Sequence, residues 1–279
     1  MRQQPFGAGG PQVSLIGQGT WYLDRGDRKR AIAALQRGIE LGMTHIDTAE
    51  MYGDAELVIA DAIAGQRENL FIVSKVLPSN ASRRGTITAC ERSLKRLKTD
   101  YLDCYLLHWR GSYPLEDTVA AFEELVAAGK IRSWGVSNFD TDDLDQLRAV
   151  SGRGGIACNQ VLYHLQERAT EHGVIPWCAK HGVAVVAYSP FGHNEFPSPR
   201  SQGGQLLQSI ADAHGATPHQ VALSFLARAP GLFPIPKASS AEHAADNAGG
   251  GSLTLDAAEI AAIDAAFPRG PKPHGLPML

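Results

Sequence analysis

Short apolar runs alternate along the chain with longer stretches in which apolar residues recur at helical spacing. Residues 28–41 show the second pattern, which is typical of an amphipathic helix, and Gly42 follows as a helix stop. The short apolar runs are typical of strands buried in a parallel sheet. The alternation predicts an α/β protein in which each strand is followed by a helix.

Eight strands are predicted in this way, after a β-hairpin within residues 2–16. They lie within residues 17–21, 45–47, 70–75, 101–108, 131–138, 156–160, 183–188 and 233–237. Helices are predicted within residues 28–41, 55–64, 84–97, 115–128 and 144–150, near residue 210, and within residues 221–228 and 256–267. This number of β/α units in 279 residues favours a closed (β/α)8 TIM barrel with an N-terminal β-hairpin.

No interior stretch has the composition of a linker, so we expect a single domain over residues 1–279. The alternative is a doubly wound sheet, which would favour Gly-x-Gly-x-x-Gly between a strand and a helix. The glycine groups at residues 7–10 and 152–155 lack that spacing and context. A Rossmann-type fold is therefore disfavoured.

Composition narrows the possible partners. The net charge of -3 gives no basic footprint for nucleic acid or for an anionic membrane. The 4 cysteines are scattered without a Cys-x-x-Cys pair, so neither a zinc site nor a disulfide framework is indicated. The sequence begins without an apolar signal region, and no run reaches the roughly 18 apolar residues that span a bilayer. We expect a cytoplasmic monomer.

Three successive strands carry ionisable residues at or just beyond their ends. Asp47 ends one strand and Tyr52 follows in the next loop, while Lys75 and His108 end the next two strands. Active sites of β/α barrels are built at the carboxyl ends of the strands, so these side chains are expected to meet at one rim. Each has a plainer explanation on its own: the Asp as a helix cap, the Lys in solvent, the His in the core and the Tyr as a rim aromatic. Four such placements together favour acid–base chemistry.

Seven short motifs, taken in order, resemble the aldo-keto reductases, and the resemblance runs from about Val13 to Asn247. The motifs are Asp47-Thr48-Ala49 with Tyr52-Gly53, Ser74-Lys75, Leu107-His108-Trp109, Gly135-Val136-Ser137-Asn138-Phe139, Asn159-Gln160, Tyr188-Ser189-Pro190 and Ile235-Pro236-Lys237. Short bacterial members that reduce methylglyoxal and similar small carbonyls are the most similar group. The segments Gly17–Tyr22, Leu106–Trp109 and Asn159–His164 look like theirs.

Carbonyl reduction needs a proton donor and electrostatic help at the substrate oxygen, because the arriving hydride leaves charge there. The resemblance implies that Tyr52 is the acid, that Lys75 and Asp47 tune it, and that His108 orients the carbonyl. The residues agree with these roles. A Lys ammonium lowers the pKa of a neighbouring Tyr, and a carboxylate keeps a buried Lys charged.

The same resemblance implies that the cofactor is NADPH, with NADH possible. The amides of Asn138 and Gln160, with Ser137, would contact the nicotinamide carboxamide. Tyr188 would stack on the nicotinamide ring. The remaining candidates for cofactor binding are Gly19, Thr20, Ser189, Pro190, Lys237, Ser240, His243, Asp246 and Asn247. The chain departs from the family pattern near Lys237: Ala238 replaces a Ser that often follows the Lys, and His243 replaces an Arg six positions after it.

Trp21, Tyr22, Trp109 and Phe191 are expected to form an apolar substrate pocket. The tail at residues 271–279 offers little bulk for a long substrate loop, so we expect broad specificity for small aldehydes, ketones and dicarbonyls. Two other classes of protein stay open. One is a regulatory barrel that binds the nucleotide without catalysis. The other is a metal-dependent hydrolase using His45, His108 and Asp47, which is disfavoured because no further ligand completes the set, so no metal is expected.

Overall fold

The chain folds into a closed barrel of parallel strands surrounded by helices, as seen in a computed structural model that describes residues 1–151 and 155–279. The barrel strands follow one another around the sheet in sequence order. They are β3 (Gln18–Gly19), β4 (His45–Asp47), β5 (Phe71–Val76), β6 (Cys104–Leu107), β7 (Trp134–Ser137), β8 (Ile156–Leu162), β9 (Ala184–Tyr188) and β10 (Leu232–Pro234).

Ten α-helices lie among the described residues. They are α1 (Arg28–Glu40), α2 (Ala55–Ala62), α3 (Arg83–Leu97), α4 (Leu115–Ala127), α5 (Thr141–Ser151), α6 (Val174–His181), α7 (Gln202–His214), α8 (Pro218–Leu226), α9 (Ala241–Gly250) and α10 (Ala257–Ala266). None of these helices is long and apolar enough to cross a membrane.

Two backbone hydrogen bonds join the first and last strands of the barrel. The N–H of Gly17 donates to the carbonyl of Pro234 at 2.9 Å, and that of Gly19 to the carbonyl of Pro236 at 3.1 Å. Every other neighbouring pair of strands is parallel. The predicted α/β barrel is therefore confirmed.

An antiparallel hairpin covers the amino-terminal end of the barrel. It consists of β1 (Gln3–Pro5) and β2 (Gln12–Ser14), as the sequence predicted. Between them, the ring of Phe6 lies 4.7 Å from that of Phe71 and 5.1 Å from that of Phe233, both near strand starts. The hairpin leaves the opposite rim, where the strands end, as the open face of the barrel.

The strand predicted over residues 131–138 is shorter than expected. Ile131 forms only an isolated bridge with Leu102, and regular pairing begins at Trp134. Asn138 leaves the strand with a φ of 61°, a left-handed conformation that Asn tolerates better than most residues. The sequence also gave no helix at α6 or α9. Gly152–Gly154 of the second glycine group lie outside the described residues.

Candidate active site

A cavity of about 480 Å³ opens at the carboxyl ends of the strands. It brings together Asp47, Tyr52 and His108 with the expected pocket residues Trp21, Tyr22, Trp109 and Phe191. It also collects the expected cofactor residues Gly19, Thr20, Ser137, Asn138, Gln160, Tyr188, Ser189, Pro190 and Lys237. Lys75 lies behind this surface, bonded to Asp47.

Lys75 and Asp47 form a fully buried ion pair on neighbouring strands. The Nζ of Lys75 donates to Oδ1 of Asp47 at 2.5 Å and to the backbone carbonyl of Thr48 at 2.8 Å. Burial is the largest single influence and disfavours the ammonium, but the interactions of Lys75 with Asp47 and Tyr52 together outweigh it and raise the pKa of Lys75. The pair therefore places a fixed positive charge beneath the cavity floor.

Tyr52 and His108 meet above this pair. The Nζ of Lys75 lies 5.0 Å from the centroid of the Tyr52 ring, and the Tyr52 and His108 rings meet edge-on with centroids 5.7 Å apart. Burial raises the pKa of Tyr52 above its usual value, although the charge of Lys75 lowers it. The expectation that Lys75 lowers this pKa therefore gives the right sign for its own effect, while the larger effect of burial reverses the net shift.

His108 is held as a neutral imidazole. Burial, and then the charge of Lys75, lowers its pKa to about 2. Its Nδ1 is buried and has no hydrogen-bond partner among the residues that the structure describes. A neutral ring carries one N–H, so His108 can donate a hydrogen bond but has no spare proton to give at neutral pH.

The loop that carries Tyr52 is fixed from both sides by residues that the sequence did not single out. Oε1 of Glu50 accepts from the backbone N–H of Leu77 at 2.7 Å. Arg96 on α3 donates to the carbonyl of Gly53 at 2.5 Å and to Glu56 at 3.1 Å. Glu56 is a buried carboxylate among the apolar residues that α2 buries. A Glu at such a position in the sequence indicates a polar partner inside the fold.

The amides expected to bind the nicotinamide are partly committed to protein groups. Nε2 of Gln160 donates to Oδ2 of Asp47 at 2.7 Å. Nδ2 of Asn138 lies 3.2 Å from both the carbonyl of His108 and Oγ of Ser137, and its Oδ1 accepts from the hydroxyl of Tyr188 at 3.0 Å. These hydrogen bonds fix the direction of both amides.

Four expected cofactor residues lie outside the cavity lining, on α9 or at its start. Ser240 caps α9, with its Oγ accepting from the backbone N–H of His243. The His243 side chain is exposed and its Nδ1 lies 3.3 Å from Oγ of Ser239. Asp246 accepts from Thr217 at 2.8 Å, and Asn247 is buried. Of the five cofactor residues expected between Lys237 and Asn247, Lys237 alone lines the cavity.

Aromatic rings form the wall on the substrate side. Trp21 stacks on Tyr22 with centroids 4.4 Å apart, and Trp109 packs beside His108 at 4.9 Å. The cavity is also lined by Met51, His193, Met278 and Leu279, which sequence reasoning missed. The last two residues of the tail thus line the cavity, a contact that local sequence patterns do not predict.

The geometry also bears on the metal-site alternative. His45 starts β4 and packs edge-on against Phe71, with centroids 5.5 Å apart. Neither of its ring nitrogens has a hydrogen-bond partner among the described residues, and burial lowers its pKa to about 3. No group of three His, Cys, Asp or Glu residues in the described chain is placed to hold a metal ion. His45 lies within the barrel core below the rim that carries His108.

A model of the "Aldo/keto reductase family" matches residues 15–267. The chain belongs to this family. The family membership expected from the seven sequence motifs is confirmed, and the protein is an oxidoreductase of the aldo-keto reductase type. The chain is 47% identical over 269 residues to the methylglyoxal reductase YeaE of Escherichia coli (strain K12), covering 94% of this chain and 93% of that one.

Other members of the family show the same likeness. A glyoxal reductase of Bacillus subtilis (strain 168) is 33% identical, with 92% of this chain and 90% of the relative covered. The crystal structure of an aldo-keto reductase from Klebsiella pneumoniae in complex with NADPH superposes with a TM-score of 0.93 at 43% identity, over 100% of both chains.

Proposed function

We propose that this aldo-keto reductase uses NADPH to reduce small aldehydes, ketones and dicarbonyls such as methylglyoxal to alcohols, with Tyr52 as the general acid. The observation that carries the proposal is the buried pair of Lys75 and Asp47 directly beneath Tyr52 and His108. Relatives named for methylglyoxal and glyoxal reduction support this substrate class.

The residues present fit a nicotinamide dinucleotide. Gln160 lines the cavity, and its side-chain oxygen accepts no hydrogen bond from the described residues. This oxygen can therefore accept a hydrogen bond from the N–H of a carboxamide. The Tyr188 ring offers a flat face on the same wall. Lys237 places a cation at the rim, suited to a phosphate. The crystal structure of the Klebsiella relative with NADPH supports the same cofactor here.

The bound cofactor supplies the hydride. In this proposal Tyr52 gives its phenolic proton to the carbonyl oxygen, and the charge of Lys75 stabilises the tyrosinate that forms. His108 holds the carbonyl oxygen by its single N–H. Asp47 keeps Lys75 charged, and the aromatic wall excludes water while tolerating different carbonyl substituents.

Two further features of the proposal concern the cofactor and the domain. Lys237 favours NADPH, while His243 in place of the family's Arg weakens that preference and leaves NADH usable. We also propose one barrel domain over residues 1–279. The monomeric state and the cytoplasmic location expected from the sequence stay predictions.

The test is a screen of cofactor oxidation with methylglyoxal and simple aldehydes, using NADPH and NADH separately. We expect substrate-dependent oxidation of NADPH with one alcohol formed per cofactor consumed, and slower oxidation of NADH. Tight NADPH binding without turnover of any carbonyl would instead support the regulatory barrel.

A further inference from the structure

The side chain of Gln160 lies between the buried ion pair and the cavity. Its Nε2 donates to Oδ2 of Asp47 at 2.7 Å, and the other carboxylate oxygen of Asp47 accepts from Lys75. Gln160 and Asp47 are only 2% and 1% exposed, so water does not compete for these bonds. An ionised carboxylate can only accept hydrogen bonds, so the NH2 end of the Gln160 amide has to face Asp47.

The oxygen end of the same amide is therefore turned away from Asp47. Oε1 of Gln160 accepts no hydrogen bond from the described part of the chain, and Gln160 lines the cavity. A carbonyl oxygen can only accept. Gln160 thus offers the cavity an acceptor, while its NH2 group is turned toward Asp47.

The neighbouring polar groups are already engaged. Oγ of Ser137 donates to the backbone carbonyl of Gln160 at 2.9 Å and accepts from Asn138. The amide of Asn138 donates to the carbonyl of His108 and accepts from Tyr188. Of the three residues expected at the carboxamide, Gln160 keeps a side-chain oxygen without a partner within the described residues.

We propose that Asp47, besides balancing the charge of Lys75, fixes the direction of the Gln160 amide and so makes the pocket select a cofactor whose pyridine ring carries an N–H donor. The proposal rests on the proposed function, which puts the nicotinamide carboxamide at Gln160. Asp47 is then a positioning residue for cofactor recognition, acting through Gln160.

Replacing one carboxylate oxygen of Asp47 by an NH2 group, in Asp47→Asn, should reverse this preference for a donor on the cofactor. In Asp47→Asn, Lys75 still needs an acceptor, so the amide oxygen of the new side chain turns to Lys75 and its NH2 turns to Gln160. Gln160 then has to present Oε1 to residue 47 and its NH2 to the cavity. The pocket would now offer a donor where the wild-type pocket offers an acceptor.

The experiment compares the dissociation constants of NADP⁺ and its 3-acetylpyridine analogue, in which a methyl ketone replaces the carboxamide and removes its N–H donors. Quenching of tryptophan fluorescence reports binding without turnover. Wild type should prefer NADP⁺ on the order of tenfold, since the analogue leaves a buried acceptor unpaired. In Asp47→Asn this ratio should fall to about one or below.

Tyr52→Phe is the matched control, because it disables the proposed acid but leaves Asp47 and Gln160 in place. Its ratio should equal that of wild type. Gln160→Met, which has neither amide end, should bring the ratio to about one and carries the test if Asp47→Asn does not fold.

A wild-type ratio near one, or an unchanged ratio in Asp47→Asn or Gln160→Met, would overturn the inference. Failure of wild type to bind NADP⁺ at all would overturn the proposed function itself.

Discussion

Tyr52 and His108 are both largely removed from water at the cavity floor, and burial moves their pKa values in opposite directions. Burial favours the neutral form of each group, which means a protonated phenol and an unprotonated imidazole. The two therefore keep fixed protonation states across the neutral range. Tyr52 therefore carries a phenolic proton, as the proposed role of general acid requires, while His108 is left with the proposed role of orienting the carbonyl.

Replacing Tyr52 by Phe removes only the hydroxyl. We expect reduction to slow by two or more orders of magnitude, the usual scale for loss of a general acid. The dissociation constant of NADPH should stay as in wild type, because the hydroxyl acts on the carbonyl. Steady-state kinetics and a binding titration measure the two quantities. A Phe variant that keeps most of its activity would show that another group donates the proton.

The ion pair predicts a difference in pH dependence. Wild-type reduction should stay level through neutral pH and fall only as pH rises past the raised pKa of Tyr52, where the phenol loses its proton. In Asp47→Asn, burial is no longer opposed by the carboxylate, so the pKa of Lys75 drops and its charge is lost at lower pH. The rate should then begin to fall at a lower pH than in wild type.

Lys75→Met should reduce the rate more than Asp47→Asn, since Lys75 acts on Tyr52 directly. Rate–pH profiles of both variants measure this. Equal, pH-independent losses in the two would mean that the pair serves only the fold.

His243 lies on the exposed side of α9, close to Ser239. An Arg there would present a permanently charged, planar fork to the 2′-phosphate that distinguishes NADPH from NADH. We expect His243→Arg to tighten NADPH binding by about 1–2 kcal/mol, with NADH binding unchanged. Binding titrations with both cofactors test this, and His243→Ala serves as the comparison. Equal gains for the two cofactors would place residue 243 away from the phosphate.

At the scale of elements, the position of the Tyr52 loop depends on α3, a helix that is not adjacent to this loop in the sequence. Arg96 of α3 bonds to the carbonyl of Gly53, and a small displacement of a catalytic group costs a large factor in rate. We expect Arg96→Ala to lower kcat about tenfold or more while the NADPH dissociation constant stays constant. Lys95→Ala, at the exposed neighbouring position of α3, is the control. Equal kcat values in both variants would show that the loop holds its position without Arg96.

The sequence predicted what depends on local pattern and strand order. Alternating apolar runs gave the barrel, and the polar residues at the ends of three strands gave Asp47, Lys75 and His108 at one rim. Arg96 could not be predicted because its partners lie 40 or more residues away in the chain, and no local pattern pairs a helix Arg with a loop carbonyl. The contact of Leu279 with the cavity was missed for the same reason.

At the scale of the whole molecule, the site joins segments from nearly the entire chain. Thr20 follows the first barrel strand and Lys237 follows the last, and both line the same cavity. In a closed barrel the first and last strands are neighbours, so the predicted fold already implied that Thr20 and Lys237 lie close together. The sequence did not predict how closely the backbones approach where the first and last strands meet. A Cβ on Gly19 would lie 2.6 Å from the carbonyl oxygen of Ile235, so this contact needs a glycine.

The seam between the first and last strands has a thermodynamic consequence. The first strand is only two residues long, and few backbone hydrogen bonds join it to the last strand. Local opening of the barrel should therefore cost the least free energy between these two strands. A dinucleotide that touches both sides would act as a clasp, and saturation at about 100 times its dissociation constant would add about 2.7 kcal/mol to the free energy of unfolding. Hydrogen exchange with and without NADPH should show the largest gain in protection at Gly17 and Gly19. Uniform protection of all strands would mean that the cofactor stabilises the barrel without closing it.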